Sequence, residues 1–223
     1  AQSALNPIVT IFKQFYETML VHGVKISKAD ARVRFAELLA KLNLASSVLD
    51  AYPHEISGGM KQRVMIAFSM LLNPEVIILD EPTTALDVIT QNYIFTLLKQ
   101  INRENGTTMM LLTHDIAVVA EYADYMGIMY GGRLMEYGKV ADVFKHCFNP
   151  YTRGLIRSTP SLAKDNAQVK PIGGVPVDIT NLPAGCPFAE RCEDCMAVCA
   201  RQMPRDVEAA EGHIVKCHKY AAE

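Results

Sequence analysis

Three residues just before a helical apolar pattern have the types and spacing of an anion site. Ser57, Gly58 and Gly59 precede apolar positions that recur on one helical face. A serine can cap the first turn of a helix, and two glycines let backbone N–H groups approach an anion closely. The pattern predicts a phosphate site, although a single Ser-Gly-Gly more often marks an ordinary loop and helix start.

A second group of polar residues ends two short apolar runs. Asp80 and Glu81 follow Val76–Leu79, and His114 follows Thr107–Thr113. The carboxyl ends of parallel strands share one edge, where such sheets bind ligands. Two carboxylates there can divide the work of holding Mg²⁺ and orienting an attacking water, and a histidine can sense a terminal phosphate. A solvated strand end and a capping histidine are the simpler interpretations of the same residues.

The third group is a set of cysteines near the C-terminus: Cys186, Cys192, Cys195, Cys199 and Cys217. We see no export signal, so we expect a reducing compartment and a metal or iron–sulfur site rather than disulfides. The gaps match neither the paired cysteines of zinc ribbons nor the runs of ferredoxins, so spacing alone names no metal. Simple reduced thiols are the alternative. Cys147, beside Phe148, is predicted to be a partly buried packing residue.

The elements that must position these groups alternate between helices and strands. The first fifty residues read as helical, with a capping box at Ser27 and Asp30, and a third helix begins at Ser57. Two strands, at 76–79 and 107–113, are each predicted to be buried on both faces, and each precedes a helix. This alternation predicts a parallel α/β sheet.

The rest of the chain is predicted to be a hairpin, a short helix and a linker. Met126–Tyr130 and Arg133–Tyr137 flank Gly131-Gly132, a pair suited to a tight turn. A short helix to His146 follows, and the stretch from Pro160 to about Pro183 has the composition of a linker.

Composition excludes several classes of protein. Half of the residues are hydrophobic, 21% are charged and the net charge is −2, as in folded globular proteins rather than disordered ones. The sequence has no excess of basic residues that would indicate nucleic-acid binding. Its apolar runs are far shorter than the roughly 20 residues of a transmembrane helix. Because the first residue is Ala1 rather than Met, we expect upstream sequence to be missing.

In their order and spacing, these residues resemble the nucleotide-binding subunits of ABC transporters. Ile56–Arg63 resembles the signature motif, Val76–Glu81 the Walker B strand with its catalytic glutamate, Thr84–Asp87 the D-loop, and His114 the switch histidine. The Met60–Arg63 ending is similar to the dipeptide, oligopeptide and nickel importer branch. A tail resembling Asn149–Gly154, followed by four cysteines, belongs to the same branch.

The resemblance implies an α/β fold, a P-loop NTPase (RecA-like) ABC ATPase core that lacks its N-terminal part. Residues 1–56 would form the helical subdomain, 57–146 the signature helix and the C-terminal part of the core, and 147–223 a small metal-binding extension with the cysteine cluster. The Walker A loop, the adenine-stacking aromatic and the Q-loop glutamine would precede Ala1. We therefore expect this chain alone not to hydrolyse ATP.

The resemblance also implies a function and its site residues. The chain would be the ATP-hydrolysing subunit that powers peptide import, with Glu81 polarising the attacking water, Asp80 supporting Mg²⁺ and His114 contacting the γ-phosphate. The implied nucleotide-binding residues are Ser57, Gly58, Gly59, Met60, Asp80 and Asp87. The implied ligands of a [4Fe–4S] cluster, with zinc as the alternative, are Cys186, Cys192, Cys199 and Cys217. Cys195 is an extra thiol that departs from this pattern of four cysteines. It would be either a ligand in place of one of the four or a free thiol beside them.

The implied partners are a second ATPase subunit in a head-to-tail dimer, whose two active sites are shared, and transmembrane permease subunits. A solute-binding protein would act indirectly, and no nucleic acid is expected. The implied location is the cytoplasmic face of the inner or plasma membrane. The alternatives are a nickel importer ATPase, a DNA-repair ABC ATPase, against which the neutral charge and the Tyr151–Gly154 tail argue, and a metal-binding interaction module.

Overall fold

The computed structural model of the protein describes residues 4–83, 86–159 and 170–221. The chain divides into two units, residues 1–114 and 115–223. The first two residues of the predicted D-loop, Thr84 and Ala85, and most of the first half of the predicted linker lie outside the described residues. The division into three segments at 56 and 146 stays a prediction.

The first unit begins with three helices, α1 (Ile11–Val21), α2 (Lys28–Lys41) and α3 (Gly58–Met70), with 3-10 turns at Ser46–Asp50 and Pro53–Glu55 between α2 and α3. Apolar side chains from one face of each helix form a common core, in which Phe15 packs edge-on against Phe35 at 5.1 Å and Phe68 at 4.2 Å between ring centroids. The predicted cap of α2 is confirmed, because the Asp30 amide donates to Ser27 Oγ at 3.1 Å.

Two parallel strands follow, β1 (Val76–Asp80) and β2 (Thr108–Leu112), joined by α4 (Val88–Asn105). Their type and direction are as predicted. The expected burial on both faces is wrong: Ile77 is buried, but Val76, Ile78 and Met110 are each more than half exposed. Successive side chains of a strand point to opposite faces. Only the face that carries Ile77 is covered within the described part of this unit.

The second unit contains α5 (Ile116–Tyr122), β3 (Tyr125–Tyr130), β4 (Arg133–Lys139), α6 (Val140–Lys145), α7 (Pro150–Ser158), β5 (Asp206–Ala210) and β6 (His213–Lys216). Its strands form an antiparallel sheet in the order β3-β4-β6-β5. The predicted hairpin is confirmed, and Gly131 and Gly132 adopt φ angles of 54° and 70°. Within the described ranges, parallel pairing is limited to β1 and β2, and β6 joins the C-terminal hairpin to β4.

No helix within the described ranges combines the length and the apolar character that crossing a bilayer requires.

Candidate functional site

Glu81 and His114 meet at the carboxyl edge of β1 and β2, as the parallel pairing predicts. The Glu81 amide donates to the Leu112 carbonyl at 3.0 Å, which holds the residue beside the end of β2. Its carboxylate Oε1 lies 2.6 Å from His114 Nδ1 and accepts from the His114 amide at 3.2 Å. The imidazole is 84% exposed, so this hydrogen-bonded pair is open to a ligand from solvent.

Glu81 also has an unusual backbone conformation, with φ at 47°. A non-glycine residue in this region stores roughly 1–3 kcal/mol of strain, and such residues cluster at functional sites. Asp80, one residue earlier, is exposed at the end of β1. The strand end therefore presents two carboxylates and an imidazole, a set that can hold a hard cation and accept a proton from water.

The N-terminus of α3 is built as an anion site would require. Ser57 caps the helix, and its Oγ accepts from the Met60 amide at 3.3 Å. The first turn contains no acidic residue, so no side chain of that turn neutralises the partial positive charge of the helix end. Gly58 and Gly59 carry no side chains that would keep an anion away from the N–H groups.

Asp87 caps α4 and lies near the beginning of α3. The Thr90 amide donates to Asp87 Oδ1 at 3.0 Å and the Thr90 hydroxyl to Oδ2 at 2.7 Å, and these bonds lower the pKa of Asp87. A Cβ atom on Gly59 would lie 3.5 Å from the Thr90 methyl group. The beginnings of the two helices are therefore adjacent, which brings Asp87 to the neighbourhood of Ser57–Met60.

Arg63 fastens α3 to its surroundings, a role that the sequence motif did not reveal. Its guanidinium donates to the carbonyls of Leu42 at 3.3 Å and Asn43 at 3.0 Å, which end α2, and lies 5.8 Å from the centre of the Tyr93 ring on α4. Arg63 thus fixes the direction of α3 relative to α2 and α4.

The cysteines near the C-terminus gather around one cavity of about 20 Å³. The four thiols implied by the resemblance line it, from Cys186, Cys192, Cys199 and Cys217, whereas Cys195 does not line it and is exposed. Within residues 4–83, 86–159 and 170–221, no three His, Cys, Asp or Glu side chains are arranged to hold a metal ion. The thiols are thus neighbours without forming a ligand shell. Cys147 is half-buried, as predicted.

Gly185 permits the close approach of two cysteine segments. The Cys186 amide donates to the Cys199 carbonyl at 2.7 Å. A Cβ atom on Gly185 would lie 2.1 Å from the Cys199 carbonyl oxygen and 2.6 Å from the Ala200 carbonyl carbon. Backbone atoms cannot yield at such distances, so only glycine fits between the segments.

The environment of the cavity disfavours thiolates in the absence of a cation. Burial raises the pKa of Cys186 and of Cys217, and it raises the pKa of Cys192 to about 11. A metal ion reverses this preference, because it binds thiolates and displaces their protons. The sulfur set therefore suits a soft cation and disfavours free anionic thiols.

A buried polar group that sequence reasoning missed supports one wall of the cavity. Glu136 and His213 are 1% and 2% exposed, and His213 Nε2 lies 2.8 Å from Glu136 Oε1. The same carboxylate accepts from the amides of Phe148 at 2.7 Å and Asn149 at 3.1 Å. Asn149, which lines the cavity, donates to the Lys216 carbonyl at 3.1 Å. The group joins β4, β6 and the start of α7.

Asp194 is a further residue near the cavity that no sequence pattern indicated. Its Oδ2 accepts from Arg153 Nη2 at 2.6 Å and from Lys219 Nζ at 2.8 Å. The bonds from Lys219 and Arg153 hold the pKa of Asp194 below its usual value, so the carboxylate is ionised at neutral pH.

Two family models match the chain. The model of the ABC transporter matches residues 1–84, and that of the oligopeptide/dipeptide transporter C-terminal region matches residues 135–199. The second match covers three of the four cavity cysteines, Cys186, Cys192 and Cys199.

Curated relatives cover almost the entire chain. A dipeptide transport ATP-binding protein of Caldanaerobacter subterraneus subsp. tengcongensis is 44% identical over 99% of this chain and 68% of its own length. That of Bacillus subtilis is 42% identical over 96% of this chain and 64% of its own length. An oligopeptide transport ATP-binding protein of Salmonella typhimurium is 41% identical over 99% and 66%. The chain thus spans about two thirds of the length of these relatives.

Solved structures of ATP-binding cassettes share the fold. A dimeric cassette in a post-hydrolysis state, bound to ADP and Pi, is 31% identical and superimposes with a TM-score of 0.56 over 62% of this chain and 60% of its own. The cbiO1 component of a Clostridium perfringens ABC transporter is 30% identical, with a TM-score of 0.56 over 64% and 55%. The mixed α/β architecture is therefore that of ABC ATPase cassettes.

Proposed function

Because the chain belongs to the ATP-binding subunits of ABC transporters, in the dipeptide and oligopeptide branch, we propose that it powers peptide import by ATP hydrolysis. The observation that carries the proposal is the hydrogen-bonded pair of Glu81 and His114 at the carboxyl edge of β1 and β2. A general base beside an exposed imidazole, at the edge where parallel sheets bind ligands, suits the hydrolysis of a nucleotide.

Each residue at this edge has a distinct part in the proposed reaction. Glu81 accepts a proton from the attacking water, and its bond to His114 Nδ1 turns the imidazole so that the far side of the ring can reach the γ-phosphate. Asp80 is the carboxylate that would hold Mg²⁺, since it is exposed at the end of β1. When bound, Mg²⁺ neutralises developing charge on the phosphate oxygens.

The signature residues serve a second copy or a homologous subunit. In a head-to-tail dimer, Ser57, Gly58, Gly59 and Met60 direct the N-terminal N–H groups of α3 toward the γ-phosphate held by the other subunit. Asp87 lies beside them at the start of α4. Support comes from the related cassette that is dimeric in its ADP- and Pi-bound state.

The proposed membrane partner is a permease that docks on the helical part of the first unit. A groove of about 350 Å³ lies along α1 and α3, lined in part by Leu5, Val21, Met65 and Phe68. Val21 at its rim is 83% exposed, as expected of an apolar side chain that a partner covers. This arrangement would place the protein at the cytoplasmic face of the membrane, with a solute-binding protein acting indirectly.

Uptake of a labelled dipeptide tests the proposed function. The 223 residues contain no Walker A sequence, so the chain is joined at its N-terminus to an ABC segment that carries one. Expressed with its permease in bacteria that lack a dipeptide importer ATPase, this completed subunit is expected to restore uptake. Restored uptake of nickel without uptake of dipeptide would contradict the peptide assignment.

The proposal extends to a metal site at the cysteine cavity, with a [4Fe–4S] cluster as the occupant and zinc as the alternative. Four thiols from three chain segments surround the cavity, and soft thiolates favour iron–sulfur clusters and zinc over hard cations. The four thiolates would hold the group and so join these segments. Gly185 and the bond between Cys186 and Cys199 already hold two of the segments together.

Metal analysis of the anaerobically purified chain tests this extension. We expect about four iron and four sulfide per chain, the composition of a [4Fe–4S] cluster. Cys217→Ser should remove most of them, whereas Cys147→Ser, which alters a half-buried thiol outside the cavity, should retain them. Stoichiometric zinc would replace the cluster by its alternative, and absence of both metals would refute the site.

A further inference from the structure

Asp194 forms an ion-pair triad with Arg153 and Lys219. A single carboxylate oxygen, Oδ2, accepts from both cations, at 2.6 Å and 2.8 Å. The side chains of Asp194 and Arg153 are 27% and 28% exposed, and that of Lys219 is 37% exposed. Asp194 and Arg153 are thus half-buried while Lys219 is exposed, and both hydrogen bonds are charge-assisted.

The triad joins three chain segments near the cysteine cavity, of which two carry cavity thiols. Arg153 belongs to α7, Asp194 lies in the loop between Cys192 and Cys199, and Lys219 follows Cys217 by two residues. Asp194 itself lines the cavity. The carboxylate thus connects the segment of Cys192 directly to the segment of Cys217.

Other bonds at the cavity join different positions of these segments. The Cys186 amide is held by the Cys199 carbonyl, and His218 Nε2 contacts the carbonyl of Gln202, which lies beyond Cys199. Without the charge of Asp194, the two cations would repel each other beside the cavity instead of meeting at one oxygen. The Cys192 and Cys217 segments would then be joined through the bond between His218 and Gln202, which lies ten residues after Cys192.

We propose that Asp194 is the positioning residue of the cysteine cavity and holds Cys192 and Cys217 side by side through Arg153 and Lys219. The effect of Asp194 on metal retention rests on the proposed metal site. Its effect on the arrangement of the thiols does not depend on that site.

The metal-free chain provides the first test. Alkylation by N-ethylmaleimide is followed at each cysteine by mass spectrometry in wild type, Asp194→Asn and Glu193→Gln. Glu193 is a matched control, because this neighbouring carboxylate pairs with Lys170 at 3.1 Å on the exposed surface. Rates are compared as the pH-independent rate constants of the thiolates, because burial, and to a lesser extent the charge of Asp194, raises the pKa of Cys192 and of Cys217. Asp194→Asn should raise these rate constants at Cys192 and Cys217 about tenfold, as expected for loss of a charge-assisted hydrogen bond. Rates at Cys147 should stay unchanged.

Asp194→Glu separates positioning from a general loss of folding. The longer side chain keeps the charge, so it should restore slow alkylation at least in part. Equal rates at Cys192 and Cys217 in wild type and Asp194→Asn would overturn the proposal. So would equal acceleration at all cysteines including Cys147, which would indicate global unfolding.

Zinc provides the second test, as a thiophilic probe. Chains loaded with zinc alone are challenged with a chelator, and Asp194→Asn should release zinc about tenfold faster than wild type and Glu193→Gln. Equal release rates would count against the proposal. If wild type retains neither zinc nor iron, the proposed metal site fails, while the alkylation rates still decide the role of Asp194.

Discussion

Glu81→Gln is expected to abolish ATP turnover in the completed subunit and to trap an ATP-bound dimer. The amide has the size of the carboxylate and can still accept the hydrogen bond from the His114 amide, so the edge of β1 and β2 keeps its shape. It cannot accept a proton from water. Loss of a general base lowers rates by a factor of about 100 to 10,000.

Single-turnover hydrolysis and size-exclusion chromatography with ATP measure the two effects. Glu104→Gln is the matched control, since Glu104 lies on the exposed end of α4 and bonds only to Gln100 among the hydrogen bonds described for it, at 2.7 Å. The control should hydrolyse ATP at the wild-type rate. Normal turnover by Glu81→Gln would remove Glu81 from the catalytic role.

Among the substitutions considered, Glu136→Gln is expected to lower the free energy of unfolding most. The carboxylate is fully buried and serves three donors, from His213, Phe148 and Asn149. Glutamine keeps the volume but replaces one acceptor by an NH₂ group, which faces these donors. Leaving a buried donor without its acceptor costs about 1–3 kcal/mol, and more where a charged group takes part. We expect a loss of this order in the free energy of unfolding.

Urea unfolding, with hydrogen exchange of the β6 amides to locate the effect, measures this loss. Glu190→Gln changes an exposed carboxylate in the same unit and should stay within about 0.5 kcal/mol of wild type. The double variant Glu136→Leu/His213→Leu should not recover the loss, because the Phe148 and Asn149 amides would still lack an acceptor. A stability of Glu136→Gln equal to that of wild type would contradict the role given to this group.

Local sequence determined the helix caps and the hairpin turn, and it determined one contact between residues distant in the chain. The caps at Ser27 and Ser57 and the turn at Gly131-Gly132 depend on nearest neighbours along the chain, and the structure confirms them. The meeting of Glu81 and His114 follows from strand direction, because parallel strands end at the same edge. The resemblance of the motifs identified the family, and the curated relatives confirm that assignment.

Tertiary structure decided what depends on distant partners. The exposure of Ile78 could not be read from its strand, because it depends on which layer covers each face of the sheet. The exclusion of Cys195 from the cavity depends on how the loop from Cys192 to Cys199 folds. Glu136 and His213 are 77 residues apart, and Arg153 and Asp194 are 41 apart. No local pattern encodes such pairs, since a charged residue in sequence looks the same whether its partner is solvent or a buried counter-charge.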